Sequence, residues 1–119
     1  MRGMNQTIDM LGKLMDATAL RQKVISNNLA NVNTPGYVRK DVKFVDTLTK
    51  AIKGGRTEIN EATFEVTEDK TASVDARGNS VTLQKEVAEI AQNELLYNFA
   101  AEMTSQKFAG LRKAISGTK

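Results

Sequence analysis

The residues best equipped for chemistry in this chain are carboxylates and amines. The 119-residue sequence has no His, no Cys and no Trp. A general base or nucleophile would therefore have to come from Ser, Lys, Asp, Glu or Tyr. The adjacent acids Glu68 and Asp69 sit in a polar stretch, where solvated charge is the ordinary reading. Gly54 and Gly55 are adjacent but lack the spacing of a phosphate-binding loop. No run of oxygen ligands has the spacing of a metal loop. The expectation is a non-enzyme with no catalytic residues, no metal and no cofactor. Without Cys, disulfides and thiolate chemistry are excluded.

A second kind of chemistry is concentrated in the stretch SNNLANVNTPGYVRK, residues 26–40. It holds four asparagines, a threonine, the one proline of the chain and a glycine. Amide side chains compete for the backbone and weaken helices, so their place at a helix end needs a reason. One reading is a solvated, frayed terminus. The other is a packed contact whose register is set by amides. Asn33 falls where a helix C-terminus accepts a left-handed residue, and Thr34 precedes Pro35 and is pushed to extended geometry. Thr34-Pro35-Gly36-Tyr37 suits a type II turn, with proline second and glycine third.

Two long helical patterns must position this stretch. Over residues 5–32, Ile8, Leu11, Met15, Thr18, Gln22, Ile25, Leu29 and Val32 follow steps of three and four. Over residues 82–116, Leu83, Val87, Ile90, Glu94, Tyr97, Ala101, Thr104, Phe108, Leu111 and Ile115 do the same. Thr82 is the expected N-cap and Gly117 the expected stop. The helices would be ~40 and ~50 Å long. The expected fold is mainly α. Helices of residues 5–33 and 82–116 pair as a coiled-coil-like hairpin through Ile8, Leu11, Ile25, Leu29, Leu83, Val87, Ile90 and Phe108.

Residues 34–81 form the polar middle, partly extended or disordered. Residues 44–52 suggest a short helix ended by Gly54-Gly55, and residues 62–67 alternate as a strand. The rest of residues 58–79 is too polar to bury much surface, which suggests mobility.

Each long helix carries a second apolar stripe. It includes Leu20 and Val24 in the first, and Leu95, Phe99 and Met103 in the second. A two-helix hairpin buries one stripe per helix. Leaving Leu or Phe side chains wet forgoes ~1.5–3 kcal/mol each. Either the middle folds back over these stripes or neighbouring subunits do, and the polarity of the middle favours subunits. Asn27, Asn28 and Asn31 continue the first helix's stripe and share that expectation.

The net charge is +3, from 17 basic and 14 acidic residues dispersed along the chain. That argues against nucleic acid, which favours a clustered basic stripe. Lys107, Arg112, Lys113 and Lys119 suit a solvated helix end. No apolar run approaches the ~18 residues of a lipid-spanning segment. Residues 1–15 lack the features of a cleaved secretion signal.

Asn28, Leu29, Ala30, Asn31, Thr34, Pro35, Gly36 and Tyr37 resemble the signature of the axial proteins of the bacterial flagellum, N-(I/L)-A-N-x-x-T-x-G-Y. The continuation through Asp41 and Phe44 resembles the proximal-rod branch of that family. So does the GNxVxLxxE-like run of Gly78, Asn79, Val81, Leu83 and Glu86. Thr82 and Gln84 depart from the acidic residues common there.

The resemblance implies a structural subunit of the basal-body rod, assembling helically, linking the MS ring to the outer rod and transmitting torque. It implies export through the flagellar type III apparatus to the periplasmic space. Implied partners are other rod proteins, the MS-ring–rod junction protein, the export gate and copies of the chain itself. Phe44 and Leu48 match the Phe-x-x-x-hydrophobic form of an export-gate motif, or are a local i,i+4 pair. A soluble helical adaptor outside the rod is the alternative.

Overall fold

The structure, a computed structural model, describes residues 2–117. The elements in order are α1 (Arg2–Ala30), β1 (Lys40–Val42), α2 (Val45–Gly54), α3 (Arg56–Glu61), β2 (Val66–Glu68) and α4 (Leu83–Ile115). The subunit is a slab of 66 × 27 × 15 Å whose long axis follows the two long helices. Lys119 lies outside the described residues.

α1 and α4 run antiparallel: Arg21 meets Glu89, the Thr18 carbonyl meets Asn93, and Met15 meets Thr104. On α1 the stripe facing α4 is Leu11, Thr18 and Ile25, spaced by seven and all buried. On α4 the buried residues are Glu86, Asn93 and Ala100, again spaced by seven. The expected helix-pairing stripe on α4 is therefore wrong in part. Leu83, Val87 and Phe108 are 51%, 52% and 43% exposed. The buried heptad lies one residue earlier, because its members make specific contacts that apolar counting passes over. Glu86 takes an ion pair, Asn93 donates 2.7 Å to the Thr18 carbonyl, and Ala100 is small enough for close approach. Ile8, Leu29 and Ile90 are half-buried.

Part of the opposite face of α1 is covered by the middle segment, while Lys23 and Asn27 on it stay exposed. Ala17 and Val24 form a buried cluster with Val42, Phe44 and Leu48, and Leu14, Leu20, Phe64 and Leu96 pack against it. This corrects the expectation for Val24, and in part for Leu20, which stays half-buried: few apolar residues in the middle suffice, since they are concentrated at the start of α2. Phe44 sits at the N-cap of α2, and Leu48 and Ala51 line its inner face.

The middle is also more regular than its polarity suggested. β1 and β2 pair antiparallel, with Lys40 opposite Glu68 and Val42 opposite Val66. Side chains of α1 hold the helices of the middle. Gln6 donates to the Ile52 carbonyl, Lys13 to the Ala62 carbonyl at 2.9 Å, and Asp9 pairs with Arg56 at 2.6 Å. α2 stops at Gly55, whose N–H reaches back to the Ala51 and Ile52 carbonyls while its φ of +96° turns the following chain out of the helix. Thr82 occupies the N-cap of α4 but its hydroxyl makes no capping bond, contrary to expectation.

Candidate functional site

The signature residues meet at the corner where α1 ends, β1 begins and α4 starts. Asn28 is its centre and is wholly buried. Its Nδ2 donates to the Lys40 carbonyl at 2.8 Å and to Glu86 Oε1 at 3.0 Å. Its Oδ1 accepts from the Lys40 N–H at 2.9 Å and from the Tyr37 hydroxyl at 3.3 Å. One amide thus pairs with both backbone groups of Lys40, as a neighbouring strand would. Two donors and an acceptor on one short side chain are what asparagine supplies. The other amides act on the surface of the corner. Asn27 donates to the Tyr37 hydroxyl at 3.0 Å, and Asn31 donates to the Asn27 carbonyl and accepts from Thr34. Asn28 therefore stabilises the subunit itself, not the contact with a neighbour that its stripe position suggested.

The chain leaves α1 through the Thr34–Tyr37 turn. Tyr37 N–H donates to the Thr34 carbonyl, and Gly36 at the third position has φ of +76°, the value a type II turn requires. Asn33 is not left-handed, since the described residues with positive φ are all glycines. The carbonyls past the end of α1 also accept from side chains far along the chain. Asn79 Nδ2 lies 2.9 Å from the Asn31 carbonyl and 2.6 Å from that of Thr34. Arg77 reaches the Val32 carbonyl at 3.2 Å, and Asp75 holds its guanidinium in place. Gly36 N–H donates to the Arg77 carbonyl, which brings the two loops together. Leu29 is half-buried, whereas Ala30 and Pro35 are exposed.

Beneath the amides lies a buried ion pair. Arg39 is 1% exposed and Glu86 is fully buried. Arg39 Nε and Nη2 donate to the two Glu86 oxygens at 2.8 and 3.0 Å. Arg39 Nη1 donates to Asp69 at 2.7 Å, so one guanidinium joins β1, the exit of β2 and the first turn of α4. The bonds that Glu86 accepts, opposed by burial and helped by Asp69, keep the guanidinium more firmly protonated than usual. Asp69 is held down to about 2 by the Thr71 hydroxyl, with Arg39 adding to that. A second bridge, Arg21 with Asp41 and Glu89, ties α1 to β1 and α4.

Sequence reasoning passed over Arg39, Asn79 and Glu86 as individual residues. Asn79 and Glu86 stand in the GNxVxLxxE run, which carried a usable signal. Arg39 carried none, because its partners are 30 and 47 residues away.

A different surface lies on α4. Leu95 is 73% and Phe99 56% exposed, and they point away from α1. Met103 is half-buried. Phe44 and Leu48 are buried in the fold, which makes them a local i,i+4 pair in the native subunit. Among the described residues no cluster of acids could hold a metal ion, and no helix is long and apolar enough to cross a membrane. The corner offers no nucleophile poised by a base. It can fix the angle between elements.

Residues 15–37, the second half of α1 through the turn, match the family model for flagella basal body rod protein. Over nearly its whole length the chain is similar to the flagellar basal body rod protein FlgB of Bacillus subtilis, with 31% identity covering 95% of each chain. It is 31% identical to FlgB of Aeromonas hydrophila over 82% of this chain and 83% of that one. For FlgB of Escherichia coli K12 the identity is 26%, over 85% of this chain and 86% of the other. End-to-end identity at this level, with the family signature folded into one hydrogen-bonded corner, means that the chain belongs to the flagellar basal body rod protein FlgB family.

Proposed function

We propose that the chain is a non-catalytic structural subunit of the proximal rod of the flagellar basal body. The observation that carries this reading is the match to FlgB across 95% of the chain. The subunit's form suits the role. Two long helices and a clamped corner make a stiff slab, and stiffness is what a torque-transmitting shaft asks of its parts. The uncovered Leu95 and Phe99 supply an assembly surface, since apolar patches of this kind mark interaction sites. Its partners would be other copies, the next rod proteins and the MS-ring–rod junction protein.

Phe44 and Leu48 are buried, so an export gate would meet them only in the unfolded chain. Export before folding agrees with that. The test is Leu95→Glu with Phe99→Glu, followed by isolation of basal bodies. The expected result is a folded subunit missing from the rod. Normal incorporation of the double variant would refute the assembly surface.

A further inference from the structure

The subunit carries a second surface that complements the α4 stripe. A groove of about 510 Å³ runs between α1 and the paired strands β1 and β2, lined by Leu20, Lys23, Val24, Asn27, Lys40 and Val66. Its floor is apolar, with Val66 45% exposed, and its charged lining residues are both lysines. Neither lysine has an ion-pair partner within 4 Å among the described residues. The exposed stripe of α4 has the opposite sign. Between Lys85 and Lys107, α4 carries Glu86, Glu89, Glu94 and Glu102 and no basic residue. Glu86 and Glu89 are taken by arginines, which leaves Glu94 and Glu102 flanking Leu95 and Phe99.

The two surfaces also face opposite ways. On α1, Leu20, Lys23, Val24 and Asn27 lie roughly 140–240° around from Thr18, which faces α4. On α4, Leu95 and Phe99 lie roughly 200–240° around from Asn93, which faces α1. One surface is thus on the far side of α1 and the other on the far side of α4.

We propose that the groove receives the Leu95–Phe99 stripe of a second copy, with Lys23 and Lys40 set against its Glu94 and Glu102. The contact is heterologous: different patches on opposite faces leave one of each free at every step, so copies add head to tail. This rests on the reading of the protein as a rod subunit and adds which surfaces meet.

The absence of native Cys gives a clean assay. Basal bodies are isolated from cells carrying Val66→Cys with Leu95→Cys in the full chain, oxidised, and run without reductant. The expected result is a ladder of disulfide-linked oligomers of this chain, absent from each single variant. In parallel, Lys23→Glu and Glu102→Lys should each lower the amount of chain in the rod, and the combination should restore it. Incorporation of the chain without a ladder overturns the pairing and leaves the rod reading standing. A dimer from Leu95→Cys alone overturns it in favour of a symmetric contact. Failure of the charge reversals to rescue each other also counts against it. Absence of the unaltered chain from basal bodies removes both readings together.

Discussion

Replacing Glu86 by alanine tests whether the buried corner holds the subunit together. The change removes two bonds to Arg39, of 2.8 and 3.0 Å, and one from Asn28 of 3.0 Å. Arg39 stays at 1% exposure with Asp69, at 2.7 Å, as its remaining acid. Breaking a buried pair by removing one partner costs about 3–5 kcal/mol, because an uncompensated charge stays behind. The surviving bond to Asp69 places the expected loss near the lower end, about 3 kcal/mol. That is on the order of a hundredfold in the folding equilibrium. It is a large share of the ~5–15 kcal/mol that holds a domain folded.

Replacing both partners, Arg39→Met with Glu86→Leu, removes the buried charges together. It should cost much less than the sum of the two single changes. The assay is urea unfolding of the dilute chain, followed by far-ultraviolet circular dichroism. The denaturant slope should stay constant while the midpoint moves. A loss under about 1 kcal/mol for Glu86→Ala, or strict additivity in the double variant, would refute the assignment.

Three further outcomes follow from the same geometry. Asp69 is held to about 2 in the fold against an ordinary 3.8, so it adds stability above pH 3.8 that is lost as pH falls toward 2; Thr71→Val should flatten that loss in acid unfolding curves. Asn79→Ala removes the Nδ2 bonds to the Asn31 and Thr34 carbonyls past the end of α1, and should lower stability by about 1–2 kcal/mol in urea titrations, with little change if water replaces those bonds. Gly36→Ala forces a side chain into φ of +76° and should cost about 1 kcal/mol by the same measurement; a neutral result would mean that the turn relaxes to another type.

Much of the fold was legible from local rules. The steps of three and four mark α1 and α4, Gly54-Gly55 mark the end of α2, and Pro35-Gly36 mark the turn. Each depends on residues within a few positions of one another, which is the range over which helix periodicity and turn geometry act. The amides of residues 27–31 were legible as out of place, but their purpose was not. Asn28 satisfies the backbone of Lys40 and the carboxylate of Glu86, and no rule of spacing points from one to the other.

The sequence by itself determined two long amphipathic helices with a hard stop between them, and a composition that leaves no thiol or imidazole for chemistry. Tertiary structure decided which faces are used. It turned the inner face of α4 to Glu86, Asn93 and Ala100, because there the carboxylate finds an arginine, the amide N–H finds a carbonyl and the small side chain allows close approach. It folded the middle segment over Val24 and left Leu95 and Phe99 in water. That choice depends on contacts between residues tens of positions apart, and only the closed chain brings them within reach.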